Sequence, residues 1–385
     1  MTKKLLGILF TFLIASCGAG RDIAGDRATR LETSSGDIHI GVAGPFTGDL
    51  AQFGQSMLYG IELAVDEINS AGGVLGGRKI KIERGDDQAK VNEGTLVAQR
   101  FAGDPDIAVV IGHFNSGVSI PASAIYEKSG IIQLTPASTN PKLTQQGYKL
   151  IFRNLPNDDE NGRQLADFAG RQGYKRIAIY FANNAYGKGL ADVFEKRAKE
   201  LGITVVDRQA YDTERDEDFR PVLTKWKGNS LDAICIAGEN PKGAIIISQA
   251  REIGLKIPFM GGDGIASSEL WEIGGAASEG VFVTSYFHPG DKRPEVVKFS
   301  QTYRLRFGRL PDVWAAQAYD AMKVAATAFE KAGTISPPKV ASALRALSDW
   351  QGVTGLHNFD ANGDVVGKKV IVTVVKNGAF KLYEE

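Results

Sequence analysis

Short apolar runs and longer stretches with apolar residues at every third or fourth position take turns along this chain from Asp37 onward. Ile38-His39-Ile40-Gly41-Val42 predicts a strand. Residues 54–71 predict a helix, with Met57, Ile61, Ala64, Val65 and Ile68 at helical spacing and Gly72-Gly73 stopping it. Strands at 79–83, 107–111 and 131–134 alternate with helices at 91–101 and 118–128. This rhythm predicts a parallel α/β layer, because each helix carries the chain back to start the next strand in the same direction.

The alternation restarts near residue 161. Helices at 161–171, 190–201, 219–226 and 243–253 alternate with strands at 176–181, 204–206, 231–236 and 259–260. The last hundred or so residues depart from it, with helices at 294–307, 314–331 and 338–347 and a hairpin over 369–383 turning at Asn377-Gly378. Such a tail suggests a chain that crosses back between two lobes.

The first residues read differently. A basic start at Lys3 and Lys4, an apolar run over 5–15 too short to span a bilayer, and Ile14-Ala15-Ser16-Cys17 form a leader with a lipobox. Cleavage before Cys17 and lipid on that cysteine are expected, with an ordinary leader and an incidental cysteine as the alternative; either places the body outside the cytoplasm. Residues 18–36, rich in Gly, Ser, Arg and Asp and without an aromatic, predict a flexible tether reaching about 25 Å.

Composition supports a folded body behind that anchor. At 385 residues with 43% hydrophobic content the chain can build two core-bearing domains, and no later apolar run approaches a transmembrane helix. Loss of the leader leaves 43 basic against 45 acidic residues, a balance that gives no footprint for nucleic acid. Cys235, the other cysteine, lies in an apolar run and reads as a buried small hydrophobe. His39, His113, His288 and His357 are scattered without metal-ligand spacing, so no metal and no cofactor are expected.

A family resemblance rests on an ordered set of segments. Gly44-Pro45-Phe46-Thr47-Gly48, Gly72-Gly73-Val74, Gly112-His113-Phe114-Asn115-Ser116, Pro121-Ala122-Ser123, Thr135-Pro136-Ala137-Ser138-Thr139-Asn140-Pro141, Tyr186-Gly187-Lys188-Gly189 and Phe259-Met260-Gly261-Gly262-Asp263-Gly264 occur in that order. In them the chain resembles periplasmic branched-chain amino-acid-binding proteins over nearly all of its mature length. The resemblance implies a type I periplasmic-binding-protein fold: two doubly wound parallel-sheet lobes joined by three crossing strands, closing like a flytrap on a small ligand and delivering it to an ABC permease. The expected division is a signal peptide at 1–16, a lipid-anchored tether at 17–36, one lobe from 37–157 plus 287–360 and the other from 158–286 plus 361–385. A monomer is expected.

The chemistry of an amino acid explains why those segments would hold one. An α-carboxylate needs several donors, and a helix N-terminus offers free N–H groups with a favourable dipole. Asn115-Ser116 and Ser138-Thr139 are each expected where a strand turns into a helix, so the Ser116 and Thr139 hydroxyls and a backbone group of Ala137 form the expected cradle; the two hydroxyls also suit helix caps. The resemblance places Asp263 where the family carries an acid for the α-ammonium, although aspartate between glycines also suits a tight surface turn. Tyr186 and Phe53 match aromatic residues that wall the ligand, with core packing as the other reading of Phe53. Glu239, in Ala237-Gly238-Glu239-Asn240-Pro241, departs from the aromatic contact of several relatives; it either faces solvent or brings a second acid into the site, where it would share the α-ammonium or reach a polar or basic ligand side chain.

Other functions fit less well. No Ser/His/Asp, Cys/His, paired-carboxylate or phosphate-loop arrangement has the order an enzyme needs, and a DNA-binding regulator of this shape would carry a headpiece in place of a lipobox. The rival is a lipoprotein of the same fold that senses a ligand or regulates cell-wall enzymes without transport.

Overall fold

The first sheet holds β1 (Ile38–Gly44), β2 (Ile80–Asp86), β3 (Ile107–Ile111), β4 (Ile132–Thr135) and β5 (Ile151–Arg153), all parallel, in the order β2-β1-β3-β4-β5. Every residue of β3 and β4 is buried, as expected of strands covered by helices on both faces. The second sheet holds β6 (Arg176–Ala182), β7 (Thr204–Tyr211), β8 (Ala233–Ala237), β9 (Phe259–Gly261) and β10 (Phe282–Ser285) in parallel. A small sheet of β11 (Trp350–Gly352), β12 (Gly355–Phe359) and β13 (Val365–Val366) follows, and β14 (Ile371–Val375) and β15 (Phe380–Leu382) then complete the second sheet as antiparallel edge strands. The computed structural model describes residues 22–384, so the leader and Cys17 lie outside the described residues.

The chain passes between the two large sheets three times, at 154–157, 286–293 and 367–370. Helices follow the same division. Those called α1 (Ile23–Glu32), α2 (Ala51–Ser70), α3 (Val91–Gly103) and α4 (Ser116–Ser129) accompany the first sheet, while α5 (Asp158–Arg171) packs along α6 (Ala185–Glu200) beside the second. After the second crossing the long helix Val313–Ala332 returns to pack along α2. That approach is close enough that a Cβ on Gly60 would stand 2.0 Å from the Ala315 carbonyl oxygen, so only glycine fits there.

The sequence reading and the structure differ over several short strands, the small sheet of β11, β12 and β13 included, and over the tether. Strands β5 and β10, of 3 and 4 residues, lie in segments where no strand is predicted: they are too short to show a period and exist because their neighbours supply ladder partners. The predicted tether is corrected over its described part, because residues 23–32 form α1. Leu31 is buried, and the Arg27 guanidinium donates to the carbonyls of Ser129 (2.8 Å), Asp104 (2.5 Å), Ile107 (2.7 Å) and Ala102 (2.6 Å). One well-placed arginine with an aliphatic stem thus docks a segment whose average composition is that of a coil.

Cys235 sits buried in the middle of β8, where burial pushes its thiol pKa up, a setting for packing and not for a nucleophile. His113 is buried between Asp87 (2.6 Å) and the Tyr126 hydroxyl (3.0 Å). Among the described residues no His/Cys/Asp/Glu group could hold a metal ion, and no helix is long and apolar enough to cross a membrane.

Candidate functional site

The strand order reverses between β1 and β3 in one sheet and between β6 and β8 in the other. At such switch points the loops leaving the carboxyl ends of the strands splay apart and leave a crevice. The segments that follow β3, β6 and β8 carry Asn115 and Ser116 at the start of α4, Tyr186 at the start of α6, and Glu239. Between the lobes lies a cleft of about 870 Å³ that continues into a recess with about 10 Å³ of free space. Asn115, Ser116, Tyr186 and Glu239 wall both; Phe114, Ala137, Asp263, Gly264 and Trp314 complete the recess.

Ser116 is the first residue of α4, behind Asn115 as its N-cap. The N–H groups of Ser116 and Gly117 have no acceptor within the helix, which makes this end a donor cluster with a favourable dipole. The Ser116 hydroxyl accepts from the Asn140 N–H at 3.2 Å and keeps its own proton to donate. Asn115 Oδ1 and Trp314 Nε1, both buried, have no hydrogen-bond partner among the described residues.

Around Ala137 the structure departs from the expected cradle. Only one 3₁₀ turn, Pro141–Leu143, follows β4, and Asn140 caps it, so Ser138 and Thr139 do not stand at a helix N-terminus. The Ser138 hydroxyl is taken up by Ser119 Oγ (2.5 Å) and the Phe114 carbonyl (2.8 Å), bracing the loop after β3. Ala137 lines the recess, but its N–H is committed to Thr135 Oγ1 at 3.2 Å, leaving the carbonyl as its remaining backbone group. Thr139 Oγ1 is buried without a well-formed hydrogen bond, close to Asp158, whose N–H donates to the Thr139 carbonyl at 2.8 Å.

On the opposite lobe Asp263 is wholly buried and not part of a surface turn. It accepts from the Tyr186 hydroxyl (2.7 Å), the Tyr286 hydroxyl (3.0 Å) and Asn161 Nδ2 (3.1 Å). Burial raises its pKa while those donors pull the other way. Asp158 is raised further, by burial and then by Asp263. Glu239 is 7% exposed, not solvent-facing; burial, with Asp263 adding like charge, pushes its pKa up to about 7 against the opposing Asn184 amide.

The aromatic wall also differs from expectation. Phe53 is fully buried, because α2 begins so tightly against the preceding loop that a Cβ on Gly54 would stand 2.1 Å from the Pro45 carbonyl oxygen. Its ring stacks on Phe114 at 4.8 Å and meets Trp314 edge-on at 6.1 Å, supporting from behind the two rings that line the recess. Phe114 and Trp314, which line the recess, and Tyr286 and Asn161, which donate to Asp263, are candidate-site residues that sequence reasoning passed over. Trp314 reads as the first core residue of a helix, and the only signal for it is a large aromatic placed just after Asp312, the cap of that helix.

The sequence model of the periplasmic binding protein family matches residues 37–379. A Leu/Ile/Val-binding protein homologue of Brucella abortus is 36% identical, the match covering 86% of this chain and 88% of that one. The leucine-, isoleucine-, valine-, threonine- and alanine-binding protein of Pseudomonas aeruginosa is 33% identical over 90% and 89% of the two chains. An ABC transporter substrate-binding protein of Desulfitobacterium hafniense, solved in complex with Leu, is 38% identical and superposes with a TM-score of 0.77 over 90% of this chain and all of that one. Two lobes with facing switch points, an acid-lined recess between them and this breadth of similarity agree: the chain belongs to the periplasmic branched-chain amino-acid-binding protein family.

Proposed function

We propose that this protein is the extracytoplasmic substrate-binding lipoprotein of an ABC importer, anchored through Cys17, which captures an amino acid by closure of its two lobes. The observation that carries the reading is the recess itself. One wall offers helix-terminal N–H donors and the Ser116 hydroxyl, suited to an α-carboxylate; the other offers the buried Asp263 carboxylate, suited to an α-ammonium; Phe114 and Trp314 lie beside them. The named ligands of the relatives support the same class of substrate.

Closure has a physical basis in the division of these groups between lobes. A ligand held by Ser116 on one side and Asp263 on the other favours the state in which both reach it. Direct bonds already join the lobes, among them Gln52 Nε2 to Ser268 Oγ at 2.8 Å and Asn140 Nδ2 to the Ala185 carbonyl at 2.7 Å.

A thermal-shift screen against the twenty amino acids tests the reading, since a ligand at a hundred times its Kd stabilises the native state by about 2.7 kcal/mol. Stabilisation by at least one of them, with a smaller radius of gyration in solution scattering, is expected. No shift with any amino acid would instead support the interaction or sensing role. For the anchor, Cys17→Ala should release processed protein from membranes or leave an uncleaved precursor.

A further inference from the structure

Glu239 stands where the wide cleft narrows into the recess, on the loop that leaves β8 at the second switch point. Its carboxyl group is nearly out of reach of water, yet it is poorly compensated. Asn184 Nδ2 reaches both oxygens only at 3.3 Å, and Asn115 is the other side-chain donor beside it. Lys242, three residues on, is held away by Glu217 Oε1 at 2.5 Å and the Asp216 carbonyl at 2.9 Å. Among the described residues no lysine or arginine lines the recess, and the other acid there, Asp263, adds like charge.

The charge balance decides what such a recess should prefer. An amino-acid zwitterion brings one ammonium, which Asp263 is placed to take, and one carboxylate. An aliphatic side chain passing Glu239 would strip its remaining water and return no donor. A side chain longer than leucine's, ending in an amide or a cation, would reach the mouth of the recess and pair with it, with the cleft beyond as room for the extra length.

We propose that Glu239 is a specificity-determining residue which selects amino acids whose side chain ends in a hydrogen-bond donor over purely aliphatic ones. The inference rests on the amino-acid-binding reading above, and it departs from the aliphatic ligands named for the relatives.

The test is calorimetry at pH 8 on the mature chain, with L-leucine, L-glutamine and L-lysine as probes, repeated for Glu239→Gln and Glu239→Leu. The native protein should bind glutamine or lysine at least tenfold more tightly than leucine. Glu239→Leu should reverse that order. Glu239→Gln, close in shape but uncharged, should lose any preference for lysine while tolerating glutamine, which separates an amide ligand from a cationic one. Native binding of leucine as tightly as or more tightly than both polar probes would overturn the assignment and leave the amino-acid-binding reading standing. Binding of none of the three by a cooperatively folding protein would overturn both.

Discussion

Lys368 Nζ donates to the backbone carbonyl of Asn154 at 2.6 Å, tying the third crossing segment of the chain to the first. The same amine reaches Gln317 Oε1 at 3.0 Å and His357 Nε2 at 2.9 Å, while Asn154 Nδ2 donates to the Gln317 carbonyl at 2.8 Å. Burial pushes the Lys368 pKa down to about 7, with Asp320 pulling it up, and burial together with Lys368 holds His357 well below its ordinary value, which leaves its imidazole a neutral acceptor. The buried side of the hinge is therefore a polar cluster built around one amine.

Replacing Lys368 by methionine keeps the length and apolar stem but takes the donor from the Asn154 carbonyl and His357 Nε2. Loss of about 2 to 4 kcal/mol is expected, since a buried polar group left without its partner loses its full solvation. Urea denaturation of the two proteins measures it; equal midpoints would show that the cluster relaxes at no cost.

The two sides of the recess should differ in how strongly they hold a ligand. Asp263→Asn should weaken amino-acid binding by about 2 to 5 kcal/mol, because it removes the charge opposite a buried ammonium. Ser116→Ala should cost about 1 kcal/mol, since the N–H donors of α4 remain. Calorimetry with the best ligand of the native chain gives both numbers, and comparable losses would place the ammonium elsewhere.

Glu239 should make stability depend on pH. Its folded pKa lies near 7 against an ordinary 4.5, so the native state binds this proton more tightly than the unfolded chain does. Its stabilising effect is complete below the unfolded value and is lost as pH rises through about 7. Glu239→Gln should therefore gain on the native protein between pH 5 and pH 8, by up to about 3 kcal/mol. Denaturation curves at the two pH values test this, and a constant difference between the proteins would mean that Glu239 titrates as an ordinary surface acid.

Arg27→Ala should undock α1. Four carbonyl oxygens lose their donor, and the helix is too short to persist on its own. Limited proteolysis should then cut within 23–32 while leaving the two lobes intact, and continued resistance there would show that Leu31 and the outer pairs of Arg30 with Asp106 and Glu32 with Lys339 suffice to hold the helix.

Much of the architecture was legible because buried parallel strands and amphipathic helices leave strong periods, as at Ile107–Ile111 and Pro294–Phe307. Strands such as Ile151–Arg153 were not, since pairing and not pattern makes them. Within the site, Asn115 and Ser116 could be named because a strand-to-helix turn offers free N–H donors, and Tyr186, Glu239 and Asp263 because they fall within or beside the segments that carry the family resemblance. The exchange of Phe114 for Phe53 was invisible in a linear reading: both are aromatic, and only the tight start of α2 decides which ring faces inward. Trp314, 200 residues away from Phe114, joins it through the second crossing, a contact no local pattern records.

The docking of α1 bears on mechanics. Arg27 grips the start of β3 and the ends of α3 and α4, the pole of the first lobe opposite the loops that carry Asn115 and Ser116. A pull on the amino-terminal end is thus borne by the first lobe alone, and its line of force avoids the crossing segments. Under such a load the first lobe acts as the stator and the second as the rotor.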